Sequence, residues 1–157
     1  MKIQLWSVGK AHEPYVKEGI DLFTNRISHY YPVEWQLISS PKHAAVLPAI
    51  DLKKTESENI LRLLLPEHIL VVLDEKGKQI SSEKLAGFIQ QKANESARNI
   101  IFLIGGAYGL DDKILTRANL KWSLSTLVFP HQLVRLILAE QIYRACTIIR
   151  NEKYHHS

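Results

Sequence analysis

NIIFLIGGAYGL, residues 99–110, joins an apolar run to three glycines within five positions. Ile100 to Ile104 offer no polar alternation, which suits a strand buried on both faces of a parallel sheet. ILVVL at 69–73 has the same character. Two such strands need helices above and below the sheet, and the flanking sequence supplies them. A first strand reads over about 2–8, around Ile3 and Leu5. Tyr15 to Tyr30 carries Val16, Ile20, Phe23 and Ile27 at spacings of three and four, an amphipathic helix that Pro32 stops. Val33 to Ile38 alternates as a second strand. Residues 43–65 are helical in pattern, with Pro48 marking a break or a helix start. Ser81 or Ser82 caps the next helix, whose inner face holds Leu85, Phe88 and Ile89. A short helix follows Leu110, then a strand-like stretch from Trp122 to Phe129 and a long helix over about 131–150. This alternation predicts an α/β fold, a mostly parallel sheet with helices on both faces, in a single domain over 1–157.

The length of 157 residues is enough to bury a core without staples. A chain 46% hydrophobic and 23% charged is neither disordered, collagenous nor a disulfide scaffold. Cys146 is the only cysteine, which excludes an intrachain disulfide and a cysteine-rich zinc site and points to the cytoplasm. MKIQLWSVGK lacks the continuous apolar core of a signal peptide, and no uncharged apolar stretch is long enough to predict a membrane span. The net charge of +4 permits a nucleic-acid partner without demanding one. Its placement is more informative. Residues 110–157 hold seven Lys and Arg against four Asp and Glu, so most of the excess lies in the last third of the chain.

In parallel α/β sheets ligands sit beyond the carboxyl ends of the strands. LDEKG at 73–77 is read either as a polar turn or as one wall of a ligand pocket. GGAYG at 105–109 is a tight turn or a loop whose backbone lines a ligand site. It does not match the dinucleotide fingerprint, and no Lys-Ser/Thr follows as a phosphate loop requires. WSLSTLVFPHQLV at 122–134 interleaves small hydroxyls with apolar residues, a loop able to hold a flat aromatic ring, before Pro130 starts a helix. In that helix Val134, Leu138, Ile142, Ala145, Cys146 and Ile149 share one face. The opposite side mixes apolar residues with Glu140, Gln141 and Arg144, as expected of a helix buried both in its own core and against a second copy of the chain. Glu140 and Arg144 stand four apart and can pair. The tail, Tyr154-His155-His156-Ser157, is where fraying is the rule.

Three of these segments together, IGGAYGL at 104–110, WSLSTLVFPHQLVRLILAEQIYRA at 122–145 and the closing Tyr154-His155, resemble a bacterial family. It is the family of large-subunit ribosomal RNA methyltransferases that modify pseudouridine at N3, small members of the SPOUT class. The opening MKIQLWSVGK and the chain length also fit, so the resemblance spans the sequence. It implies an α/β knot, with a C-terminal trefoil and dimer helix over about 104–157, where general rules of chain connectivity favour an unknotted sheet. It implies S-adenosylmethionine as methyl donor, with Leu73 lining the adenine pocket, Gly105 presenting backbone, and Leu124, Ser125, Thr126, Leu127, Val128 and Phe129 forming the remaining wall. It implies a homodimer acting on 23S RNA within the ribosome or large subunit, with no metal and no membrane. His155 is the expected base or positioning group, since histidine titrates near neutral pH. Arg144 is expected to stabilise charge on the target base or hold a phosphate, Glu140 to orient Arg144 or act as base, and Tyr154 to stack on a base. The family places a basic residue after Tyr-His, and this chain has His156 there. Three rivals remain: a SPOUT enzyme acting on a transfer-RNA ribose, a ribosome-associated binding protein without activity, and a flavodoxin-like nucleotide binder.

Overall fold

The computed structural model describes residues 1–156. In chain order the elements are β1 (Lys2–Val8), α1 (Pro14–Ile27), β2 (Val33–Ile38), α2 (Ala49–Leu63), β3 (Ile69–Gln79), α3 (Ser82–Asn94), β4 (Asn99–Ile104), α4 (Asp112–Arg117), β5 (Leu120–Ser123) and α5 (His131–Ile149). The strands form one sheet in the order β2-β1-β4-β3-β5, and every neighbouring pair is parallel. β4 is the central strand, which explains its unbroken apolar run. On one face Ile3, Leu5, Val71, Ile100 and Phe102 meet Ile27 of α1, Leu85 and Ile89 of α3, and Leu138 and Ile142 of α5. On the other, Trp6, Val8, Leu70, Val72, Ile101 and Leu103 meet Ile60 of α2 and Ile114 of α4. Each fully buried Ile, Leu or Val in these layers contributes about 1.5–3 kcal/mol relative to exposure.

The helix boundaries follow local chemistry. α1 starts on Pro14, a residue suited to the first helical turn, and ends at Ile27, three residues short of the expected Tyr30. The chain must become extended before Pro32. Pro48 proves to be a helix start, with a 3-10 turn at Ala44–Val46 before it. Ser81 Oγ accepts from the Lys84 amide at 3.1 Å and caps α3. Asp111 caps α4 in the same way.

Two expectations need correction. LDEKG is not a turn, because β3 continues to Gln79 and pairs with β5 across an irregularity between Leu73 and Lys78. Gly77 permits that close pairing, since a Cβ there would stand 2.7 Å from the Lys121 carbonyl carbon. The expected strand from Trp122 to Phe129 stops at Ser123. Beyond it, Ser123 Oγ donates to the Ser125 carbonyl (2.9 Å) and Ser125 Oγ accepts from the Leu127 amide (3.0 Å). These local bonds replace a strand ladder.

On α5, Leu138, Ile142, Ala145 and Cys146 are buried as the pattern required, while Val134 and Ile149 are half-buried. Part of the mixed side is covered within the chain. α5 lies against α1 and α3, and no residue from His131 to Ile149 is exposed. Gly19 of α1 makes room for Leu136, for a Cβ there would meet Leu136 Cδ1 at 2.7 Å. Among the described residues, no helix is long and apolar enough to cross a membrane.

Candidate functional site

A cleft of about 400 Å³ opens at the carboxyl ends of β4 and β5, beside the middle of β3. Leu73 forms one wall and the glycine loop from Gly105 to Gly109 a second. The loop after β5 forms the third, with Leu124, Ser125, Leu127, Val128 and Phe129 on the cleft. Thr126 sits in that loop but does not line the cleft. His131 and Val134 close it from the first turn of α5. The volume is in the range of small-molecule sites, and the lining combines apolar residues and glycines with Asp74, Glu75, Ser123, Ser125 and His131.

GGAYG forms the tight turn that its sequence allowed. The Gly109 amide donates to the Gly106 carbonyl at 3.0 Å, which closes a tight turn. Gly109 has φ +79°, a conformation that favours glycine. The same loop lies against the cleft, and side chains are excluded at Gly105 and Gly106 by close packing. A Cβ on Gly105 would meet Leu110 at 2.9 Å, and one on Gly106 would stand 2.6 Å from both carboxylate oxygens of Glu56. At the rim, Leu127 and Val128 are 68% and 82% exposed, an apolar edge that a ligand or a second chain would cover.

The four residues expected to act on the substrate also come together, in a different place. Arg144 Nε and Nη2 donate to Glu140 Oε1 at 2.9 and 2.6 Å. The Tyr154 hydroxyl donates to the same oxygen at 3.1 Å, and the Arg144 guanidinium lies 4.7 Å from the Tyr154 ring centre. Arg144 Nη1 donates to His155 Nδ1 at 3.2 Å. Arginine has no acceptor, so the ring proton of a neutral His155 belongs on Nε2, which stands 2.8 Å from Glu83 Oε1 and donates to it. That bond pulls the Glu83 carboxyl below its ordinary range. Burial and the Glu140 bond push the Tyr154 phenol up, so it stays protonated.

Tyr154 and His155 are held in place for identifiable reasons. Asn151 adopts φ 55°, and the Glu152 amide returns to the Thr147 carbonyl at 2.9 Å, a left-handed cap that turns the chain back along α5. Tyr30 then donates to Glu152 at 2.6 Å, a bond that raises the Tyr30 phenol to about 12. The cluster nevertheless lies away from the cleft of its own chain. Neither Glu140, Arg144, Tyr154 nor His155 lines it. Glu140 and Arg144 stand six and ten residues beyond Val134 on the same helix, roughly 9 and 15 Å along the axis.

Two buried charges stand beside the cleft that the sequence reading did not single out. Arg135 is 1% exposed. It donates to Ser7 Oγ (2.9 Å), the Lys10 carbonyl (2.8 Å) and His12 Nδ1 (3.2 Å). Glu56 of α2 is 5% exposed, and its Oε1 has no hydrogen-bond partner among the described residues. Burial alone pushes its carboxyl above the ordinary value. Burial, then the Arg135 charge, lowers both His12 and His131. Both sites left a trace in the sequence. Arg135 interrupts the apolar side of α5, and Glu56 falls midway between Leu52 and Ile60 on the apolar stripe of α2. Among the described residues, no group of three or more His, Cys, Asp or Glu side chains is arranged to hold a metal.

Comparison with known proteins places these features in context. Residues 1–155 match the family model described as "Predicted SPOUT methyltransferase". A protein of Cytophaga hutchinsonii named ribosomal RNA large subunit methyltransferase H is 47% identical over 156 residues, 99% of this chain and 100% of the relative. Its namesake in Parabacteroides distasonis is 41% identical, with 99% of each chain covered. The crystal structure of a probable methyltransferase from Bordetella pertussis shares the fold, with a TM-score of 0.56 at 12% identity, covering 92% of this chain and 95% of the other.

Proposed function

The chain belongs to the SPOUT methyltransferase family, and on that premise we propose that it methylates N3 of a pseudouridine in 23S ribosomal RNA, with S-adenosylmethionine as donor. The carrying observation is the cleft at the strand ends, walled by Leu73, Gly105 and the Leu124–Phe129 loop. Its residues fit the donor: flat apolar walls for a purine, small hydroxyls, and a glycine loop that brings backbone close. The relatives' names support ribosomal RNA as the substrate. When bound, the donor supplies an electrophilic methyl on a sulfonium, chemistry that needs no metal.

Leu73, Leu124 and Phe129 enclose the purine, Gly105 offers backbone groups to it, and Ser125, Thr126, Leu127 and Val128 complete the loop. The imide N3 of the target carries a proton and is a poor nucleophile until that proton leaves. His155 is the base or the group that positions the target. Arg144 stabilises the negative charge left on the imide carbonyls, Glu140 holds Arg144 in place, and Tyr154 stacks on or bonds a base. The separation of tail cluster and cleft within one chain supports a homodimer in which the tail of one protomer reaches the cleft of its partner. The apolar rim at Leu127 and Val128 supports the same arrangement. We further propose that residues 1–157 form one domain, whose part beyond about residue 104 carries the family's trefoil knot, and that the protein works in the cytoplasm. Phosphate contacts alone give a small dimer no sequence selection. The assembled ribosome is therefore its target, within which the nucleotide is already presented.

The deciding measurement is mass spectrometry of ribosomal nucleosides from cells with and without the gene. Loss of N3-methylpseudouridine on deletion is the expected result, and its persistence refutes the reading. A second expectation concerns the cleft. Gly106→Ala forces either the loop or the Glu56 carboxylate aside, and calorimetry with S-adenosylhomocysteine is expected to show about a tenfold loss of affinity. Unchanged affinity would place the donor elsewhere.

A further inference from the structure

Behind the glycine loop lies a second cavity of about 470 Å³, which shares Gly106, Ala107, Tyr108 and His131 with the cleft. Glu56 and Arg135 both line it, with Lys10 and Glu13 beside them. Neither Glu56 nor Arg135 forms an ion pair among the described residues, with each other or with anything else. Glu56 Oε1 is buried without a partner. Arg135 spends Nε and Nη1 on Ser7, Lys10 and His12, while Nη2 donates no hydrogen bond among the described residues. Gly9, at φ +129°, leaves space for that edge of the guanidinium, with its Cβ position 3.3 Å from Nη2. The Glu13 carboxylate on the same cavity offsets the Arg135 charge only in part, and two charges of opposite sign that lack a direct ion pair are costly unless a ligand meets both. A ligand that does so carries an ammonium and a carboxylate at once.

We propose that this cavity holds the α-amino acid end of the methyl donor, with the ammonium on the Glu56 carboxylate and the carboxylate on Arg135 Nη2. The inference rests on the reading of the first cleft as the donor's purine site. It adds the subsite for the donor's other end and the two residues that recognise it. Gly106 is one of the four residues both spaces share, with the purine on one side of its loop and the amino acid on the other. Its missing side chain leaves room for Glu56 to stand directly beneath the loop. A neutral uracil-type ring would offer donors and acceptors but no charge, and would leave both Glu56 and Arg135 without a direct ion pair. A phosphate of the RNA would satisfy Arg135 but face the Glu56 carboxylate. The zwitterion matches both.

The test compares two probes that differ only in this end. S-adenosylhomocysteine carries the amino acid, and 5′-deoxy-5′-methylthioadenosine lacks it. Calorimetry on the full-length protein is expected to show the first binding at least about tenfold more tightly than the second. Glu56→Gln is expected to lose about tenfold in affinity for S-adenosylhomocysteine and to change its affinity for methylthioadenosine by less than about twofold. This variant is expected to fold. Gln keeps the shape of the side chain, and burial holds the Glu56 carboxyl above its ordinary value, so the folded protein carries a cost at neutral pH that Gln removes. The melting temperature at pH 7.5 should equal or exceed that of the parent, with the gain gone below about pH 4.5, where the carboxyl is protonated in both states. Equal affinity of the parent for the two probes overturns the subsite and leaves the purine cleft standing. So does a Glu56→Gln variant that weakens both probes alike. A Glu56→Gln variant with parental S-adenosylhomocysteine affinity but no methyl transfer also overturns it, and assigns the cavity to the target base. Failure of both probes to bind the parent removes the donor reading and this subsite together.

Discussion

Arg144→Ala is expected to lower methyl transfer to ribosomes about 10²–10³-fold, the scale of losing one charge-stabilising donor from an active site. Its affinity for S-adenosylhomocysteine should stay within about twofold of the parent. The two expectations belong together because Arg144 is the hub of the tail cluster and lies outside the cleft. It holds Glu140 through two bonds, meets His155 Nδ1, and underlies the Tyr154 ring. Removing it frees the tail and deletes the cation that the proposed function assigns to the target carbonyls. His155→Ala tests the next link, since the ring stands between Arg144 and Glu83. A chain mixture then separates action within one protomer from action across two. Arg144→Ala chains mixed with chains whose cleft is blocked by Gly106→Val are each inactive alone. If the tail serves the partner's cleft, the mixed dimers contain one site with both halves intact, and activity returns to a fraction of the parental level. If the tail serves its own cleft, mixing restores nothing. Parental activity in Arg144→Ala itself would remove the tail from the chemistry altogether.

What the sequence made legible divides along the range of the forces involved. β4 and the first half of β3 were readable because burial on both faces forces an unbroken apolar run, a local signature. The far half of β3 was not. DEKGKQ is polar, and what makes it strand is its pairing with β5, some forty residues on. The loop after β5 misled for the opposite reason. Ser and Thr alternating with Leu imitate a strand's period, while the Ser123 and Ser125 hydroxyls bond local backbone and bend the chain. The cleft lining was legible through the resemblance, and of its eight expected residues only Thr126 falls off the wall. The tail's order depends on Asn151 in the left-handed region and on a bond from Tyr30, neither of which a reading of residues 154–157 contains. Arg135 is the plainest case. Its partners Ser7, Lys10 and His12 lie more than 120 residues away, so nothing near it in sequence explains a guanidinium on the apolar side of a helix.

Arg135→Met is expected to lower stability by about 2–4 kcal/mol, and the melting temperature of a chain this size by roughly 5–15 °C. Two effects oppose one another. Burial holds the Arg135 guanidinium below its ordinary pKa, a cost that methionine does not carry. Against that stand three hydrogen bonds from a charged donor, each worth about 1.5–3 kcal/mol. There is also the desolvation of the Ser7 and Lys10 oxygens left without a partner. The second set is larger, so the net change is destabilising. A spectroscopic consequence separates this account from simple loss of packing. Burial first, and the Arg135 charge second, depress both His12 and His131. Removing the cation should raise both pKa values in an NMR titration, while an apolar substitution elsewhere in the core should not. The pH dependence follows with a definite sign. A histidine whose folded pKa lies below its unfolded value near 6.5 contributes stability that is present above that value and lost as the pH falls from there through the folded pKa. The parent should therefore lose more stability than Arg135→Met on going from pH 7 toward pH 5.5, narrowing the gap between them. Unchanged histidine titrations in the variant would show that Arg135 does not set the field on that side of the cleft.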